Sequence, residues 1–432
     1  MRVKFSLPSI LLILVFSVQI ATANESAENL ALKAVSANNS EAVPAIEELR
    51  SLGPAGMQTL MKQYETEINR QIAKPTTAST ADWQRITAAL DAVSQQRNSY
   101  LSGLYWYTNL DDARTASAAS GKPILSLRLL GKLTDELSCA NSRFFRTVLY
   151  ANSSLSAVLR DRFVLHWQSV RPVPVITIDF GDGRKLERTI TGNSIHYVLD
   201  SKGNVIEAFP GLYGPQAFER NLVDAETLFI SLKGKSDNEK AALLVSYYLT
   251  RANKISLAWL DELTKIKGKR PERVLVQVDR SGQAIGVMPL AVTKMATEAT
   301  PLRMMMGGPE SLGRVTDEYA WNTIAHIHRF DAVLDERSLS LIKKQNPKLS
   351  SALLNSMLEK LQRSVALDTV RNEYVMHPTL YAWMTNNEWR KDVEKFNEKV
   401  YAELFMTPKS DPWLGLLLPD TYTAIDNSGV VK

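Results

Sequence analysis

Cys139 is the only cysteine in the 432-residue chain, and it stands in the stretch Glu136-Leu137-Ser138-Cys139-Ala140-Asn141-Ser142-Arg143-Phe144-Phe145. A cysteine set just before a helix lies beside unsatisfied backbone N–H groups and the positive end of the helix dipole. Both favour thiolate over thiol and so raise nucleophilicity. Three positions later, where a redox pair would carry its second sulfur, stands Ser142. A Cys-x-x-Ser site can form a mixed disulfide, but an outside thiol must resolve it. That chemistry suits isomerisation or one-thiol exchange better than net oxidation, and it needs no cofactor. The competing reading makes Cys139 a small buried hydrophobe and Ser142 an ordinary first-turn residue. Asn141 and Arg143 flank the position as candidate neighbours. His166 and His196 fall on expected strands of one sheet and are candidate bases. Packing against Trp167 or Tyr197 is the alternative for each.

Other chemistry-bearing residues read more plainly. His326 and His328 lie two apart on an expected helix and diverge, so they cannot easily share a metal. No His-Glu-x-x-His or paired-cysteine spacing occurs, and no metal is expected. Met304-Met305-Met306 offers soft thioethers, but consecutive side chains point apart and packing explains them better. Asp179-Phe180-Gly181-Asp182-Gly183 lacks the full ligand pattern of a calcium loop and reads as a turn. Asp182 and Asn193 are of types that suit turns as well as ligands.

These residues need elements to hold them. Residues 24–100 form an expected helical segment, with a stop at Gly53-Pro54 and an amphipathic face through Trp83, Ile86, Leu90 and Val93. From about 101 the texture turns to α/β. An Ala-rich helix over Asp111–Ser120 ends at Gly121-Lys122-Pro123, and an apolar strand follows over Ile124–Leu129. Helices are expected over Asn141–Tyr150 and Ser154–Arg160, then a strand at Phe163–Trp167. Gly181-Asp182-Gly183 joins β-rich runs Val175–Phe180 and Arg184–Ile190. Asp200–Gly203 joins Ile195–Leu199 to Asn204–Ala208, and Pro215–Leu232 closes the unit as a helix. Residues 233–432 read as helical, with Asp237 as N-cap, helices near 315–331, 349–362, 365–375 and 388–405, one possible strand at Val274–Val278, and an extended tail from Thr407. The fold class is therefore α/β + α: a central α/β domain (101–232), an N-terminal helical segment (24–100) and an all-helical C-terminal domain (233–432).

Arg2 and Lys4, the apolar run Ile10–Ile20 and Ala21-Thr22-Ala23 read as a secretory signal peptide over residues 1–23, cut after Ala23. The expected location is periplasmic or secreted, with no membrane span left after cleavage. The formal charge of +5 falls to +3 without Arg2 and Lys4, too little and too evenly spread to argue for nucleic acid. One cysteine cannot make an internal disulfide, so no covalent staple is available in an oxidising compartment.

Residues 104–232 resemble the thioredoxin-like superfamily. The matching residues are Ala116 or Ala119, Gly121, Lys122, Pro123, Ile124 and Leu125, then Cys139, Ser142 and Phe145, then Phe163-Val164, and finally Tyr197-Val198-Leu199-Asp200 with Gly203. The whole chain resembles exported bacterial thioredoxin-family proteins with a Cys-x-x-Ser site and a helical C-terminal region. The resemblance implies thiol–disulfide exchange, or isomerase- or chaperone-like activity, on envelope proteins or a small thiol, with Cys139 as nucleophile and Ser142 in the resolving position. The chain departs from the family in three places. Ser194, in Thr191-Gly192-Asn193-Ser194, falls where the family sets a cis-proline, so a trans peptide is expected. Ser138 replaces the Trp before the cysteine, and the insertion Gly131–Leu137 would cover the site. The missing second cysteine and the missing proline favour a second function of a different class, a non-catalytic binding or assembly module on a degenerate scaffold.

Overall fold

The computed structural model describes residues 27–74, 80–189, 192–266, 318–414, 417 and 424–431. Residues 1–23, read above as a signal peptide, together with Val274–Val278 and Met304–Met306, lie outside them. The described residues are mixed α/β, mostly helical, with a small mixed sheet.

The N-terminal helices α1 (Asn39–Ser51), α2 (Pro54–Gln63), α3 (Glu65–Ala73) and α4 (Ala81–Ser94), with the helical residues 27–33, enclose their own apolar cluster around Leu49, Leu60, Trp83 and Leu90. The Gly53-Pro54 stop lies between α1 and α2, with proline in the first turn where no N–H is needed. Arg50 ties this layer to the next by donating to the carbonyls of Val93 and Trp106, each at 2.8 Å.

The α/β unit runs α5 (Leu110–Ser120), β1 (Ile124–Leu130), α6 (Ala140–Phe144), α7 (Ser153–Arg162), β2 (Val164–Arg171), β3 (Val175–Asp179), β4 (Lys185–Thr189), β5 (Ser194–Leu199), β6 (Val205–Pro210) and α8 (Pro215–Leu232). The four-stranded sheet has the order β2-β1-β5-β6. β2 pairs parallel to β1, while β5 pairs antiparallel to both β1 and β6. Every residue of β1 is buried, as a central strand covered on both faces requires. The hairpin β3–β4 does not join that sheet; it stands apart as a two-stranded ribbon. The helix expected over Asn141–Tyr150 is α6 continuing into a π turn at Phe145–Leu149.

The helical region holds α9 (Asp237–Lys265), α10 (Glu318–Ile327), α11 (Glu336–Gln345), α12 (Ser351–Arg371), α13 (His377–Met384), α14 (Asn387–Lys391) and α15 (Val393–Lys399). The N-cap of α9 is Ser236 rather than Asp237, because Ser236 and Glu239 close a reciprocal capping box. The helices expected near 349–362 and 365–375 are one helix, α12, extended through a π turn at Asn372–Met376 into α13. Pro378 does not break this path because it sits in the first turn of α13. A third π turn, Val400–Leu404, ends α15.

The α/β unit and the C-terminal helices share one continuous apolar cluster, from Leu104 to Phe405. α8, α13 and α14 pack against β6, and Tyr248 of α9 donates to the Ile206 carbonyl of this edge strand at 2.7 Å. The fit is close at Gly214, where an added Cβ would lie 2.0 Å from the Asp331 carbonyl oxygen. Among the described residues, no helix is long and apolar enough to cross a membrane.

Candidate functional site

β1 ends at Leu130, and the loop that follows returns Cys139 N to the Leu130 carbonyl at 3.2 Å. That contact fixes Cys139 as the N-cap of α6, with extended backbone (φ −55°, ψ 155°). Its Sγ accepts from Ser142 N at 3.5 Å. The sulfur thus has the amide donor that its sequence position implies, but it has no access, being 0% exposed.

Ser142 Oγ lies 2.6 Å from Ser138 Oγ and 2.9 Å from the Cys139 carbonyl oxygen. Its hydroxyl therefore serves the first turn of the helix. Arg143 Nη2 donates to Thr189 Oγ1 at 2.9 Å, and Thr189 Oγ1 in turn donates to the Ser138 carbonyl at 3.3 Å. The end of the β3–β4 ribbon is in this way tied down beside the cysteine. Arg146 holds the covering loop through the carbonyls of Leu133 and Asp135. Burial, and then the neighbouring charge of Arg97, bring its pKa down to about 10.

The C-terminal helices close the other side. Tyr401 donates to the Asn193 carbonyl at 3.1 Å, and Asn193 Nδ2 donates to Thr407 Oγ1 at 3.3 Å. Arg171 Nη2 donates to the Thr407 carbonyl at 2.8 Å. Burial holds the phenols of Tyr150 and Tyr401 protonated, and the nearby Cys139 adds to this. Ser194 begins β5 after a trans peptide, and its buried hydroxyl has no hydrogen-bond partner within the protein. Asn141, Asn193 and Ser194 are all buried.

Neither candidate base hydrogen-bonds to the sulfur. His196 Nε2 lies 2.7 Å from Tyr150 Oη, and the ring packs between Phe145 and Phe218. His166 Nδ1 lies 2.8 Å from Ser126 Oγ. Burial lowers both imidazole pKa values to about 3, so both rings are neutral. The structure thus groups Cys139, Ser142 and Arg143, brings Asn193 and Ser194 under the C-terminal cover, and sets His196 behind Tyr150. His166 belongs to a different network.

Sequence reading misses two polar constellations. Arg128, fully buried on β1, donates to Ser126 Oγ at 2.7 Å and to Glu394 Oε1 at 2.6 Å. Glu207, buried on β6, accepts from Tyr247 at 2.9 Å and Tyr381 at 3.0 Å, with His377 Nε2 at 3.4 Å. His377 Nδ1 lies 3.0 Å from Glu373. The only local signal for either is a charged residue inside a strand-like apolar run, Arg128 in one case and Glu207 in the other.

Comparison of the chain with protein-family models, with curated proteins and with solved structures finds no match.

Proposed function

We propose that the protein is an exported, non-catalytic binding or assembly module built on a degenerate thioredoxin-like scaffold. The observation that carries this reading is the closure over Cys139. A thiol that exchanges disulfides needs a path for a second sulfur to reach it in line. Here the sulfur is 0% exposed, and the surrounding loop, ribbon and C-terminal segment are all hydrogen-bonded in place. The strand order β2-β1-β5-β6, with a cysteine capping the first helix after β1, supports the scaffold. In this reading the C-terminal helices occupy the end where a thioredoxin-like protein receives its substrate, and the protein's outer surfaces hold an envelope partner. The signal-like residues 1–23 support export.

One observation favours monothiol exchange as the second reading: Ser142 N–H donates to the sulfur, as an activated thiolate requires. Alkylation and trapping separate the two. Native protein treated with iodoacetamide should react slowly, at a rate limited by opening of the fold. Mixed-disulfide trapping in the envelope should give the same pattern for wild type and Cys139→Ser. Fast native alkylation, or adducts formed by wild type alone, would replace the module by the exchange enzyme.

A further inference from the structure

A groove of about 650 Å³ opens between α6, α11 and α12. Its charge is one-sided. Arg97, Arg143, Arg146 and Lys360 line it, and among its described lining residues Glu136 is the one acid. Glu136 is already taken by Arg97. Arg143 and Arg146 hydrogen-bond to neutral groups only: Arg143 to the Thr189 hydroxyl, Arg146 to three loop carbonyls and the Ser138 hydroxyl. Lys360 pairs with no carboxylate among the described residues. The guanidiniums also lie near enough to oppose one another. Burial first, and then the charges of Arg97 and Arg143, lower the Arg146 pKa, while Glu136 works against them.

This surplus charge can be reached from outside. The Arg97 side chain is 43% exposed, Arg143 is half-buried and Lys360 is exposed. The rest of the lining is largely apolar. Phe144, Met357 and Leu361 are half-buried against the main core, Ile342 is buried, and Leu353 is 61% exposed. Water and small counter-ions can answer the charges, but they leave the apolar surface wet. A neutral apolar ligand would take water from the guanidiniums and return nothing, and a cation would be repelled. A ligand that meets both parts of the lining has an anionic head and an apolar body. The groove volume lies within the range of about 300–1,000 Å³ that small-molecule sites occupy.

We propose that this groove binds an anionic amphiphile, a carboxylate carried on a single acyl chain. The head lies among the cationic residues, where a carboxylate matches the planar donor fork of an arginine. The chain lies along Phe144, Leu353 and Met357 and removes their exposed surface from water.

Isothermal titration of the full chain with decanoate, kept below its micelle concentration, tests this. Acetate supplies the head alone, octyl glucoside a chain without charge, and decyltrimethylammonium a chain of the opposite charge. Decanoate should bind saturably at a single site at submillimolar concentration, and more weakly as sodium chloride is raised. The three controls should not bind there. Arg143→Gln should weaken decanoate about tenfold, the size of one charge-assisted contact, and Lys360→Gln about threefold. Leu353→Asp puts a carboxylate beside the chain at an exposed position and should weaken it about tenfold. Lys360→Gln and Leu353→Asp should both keep the wild-type thermal midpoint, so a loss of binding in them is not a loss of fold. Cys139→Ser should change nothing, which keeps this result separate from the reading of the cysteine end. No saturable binding of decanoate, equal binding of octyl glucoside, or full affinity in either Lys360→Gln or Leu353→Asp overturns the proposal.

Discussion

The guanidinium of Arg128, fully buried in the central strand, meets the carboxylate of Glu394 at 2.6 Å across 266 residues of chain. An arginine in that position is tolerable only because its charge is answered. Ser126 takes one terminal nitrogen and Glu394 the other, and the acid itself is 52% exposed and keeps part of its hydration. The pair fastens α15 to β1, and with it the segment that covers the cysteine end.

Breaking such a pair from the buried side leaves a cavity and an orphaned acceptor. Arg128→Ala should therefore cost about 3–5 kcal/mol. Glu394→Gln makes no cavity and keeps an acceptor in place, but it leaves the fully buried guanidinium without its counter-charge and should cost about 2–3 kcal/mol. Arg128→Met combined with Glu394→Leu should recover most of the loss, since an apolar pair carries no desolvation penalty. Urea midpoints of the three variants test the ordering. A double variant as unstable as Arg128→Ala would mean that the charge pair is not what matters at this site.

Cys139→Ser should fold normally. Serine is a preferred N-cap and keeps an acceptor for Ser142 N–H, while the added polarity of a buried hydroxyl opposes that gain. The net change should stay within about 1 kcal/mol. Cys139→Val, which fits the space but cannot cap, should cost about 1–2 kcal/mol. Equal losses for the two variants would show that the sulfur acts only by filling volume.

How much of this was legible in sequence follows the range of the interactions. β1 shows itself as a compact apolar run, and both hairpins are marked by Gly- and Asp-containing turns. The closing helix α8 has the bounds its sequence suggests, Pro215–Leu232. The capping position of Cys139 is equally local and equally readable. Its burial is not, because the groups that close over it include Thr189, Tyr401 and Thr407, brought there by tertiary packing. The same holds for Glu207, His377 and Glu373, whose meeting depends on β6 and the turn before α13 lying side by side. α11 carries a readable signal that the sequence expectations above leave out: Asp335 is its N-cap, and Ser338, Leu341 and Ile342 are its buried positions.

The cover over the cysteine should open locally when its bonds are cut. Tyr401→Phe removes the hydrogen bond to Asn193, and Thr407→Val removes the one from Asn193 Nδ2. Each should cost about 1 kcal/mol and raise the native alkylation rate of Cys139 about fivefold, if opening of this segment is what admits the reagent. Rates that stay at the wild-type value while global stability falls would show that only complete unfolding exposes the sulfur.

The histidines divide into two groups with opposite pH behaviour. His328 is raised to about 9, first by its hydrogen bond with Asp331 and then by Glu262. His377 is also raised to about 9: burial works against its charge, but Glu373 and Glu207 outweigh it. An unfolded histidine titrates near pH ~6.5. The stability from these two residues is therefore fully present below about pH 6.5 and is lost as pH rises through about 9. His166 and His196 do the reverse. Burial depresses them to about 3, so in acid the unfolded chain takes up protons that the folded chain refuses. Their contribution is present above about pH 6.5 and is lost as pH falls toward 3. The thermal midpoint should therefore peak near pH ~6.5 and decline on both sides. His377→Gln should reduce the alkaline decline to the part that His328 supplies and leave the acid one unchanged. His196→Asn should reduce the acid decline alone, to the part that His166 supplies. A midpoint that is level from about pH 6.5 to 9 in the wild type would mean that the carboxylates around His328 and His377 do not hold these two rings charged.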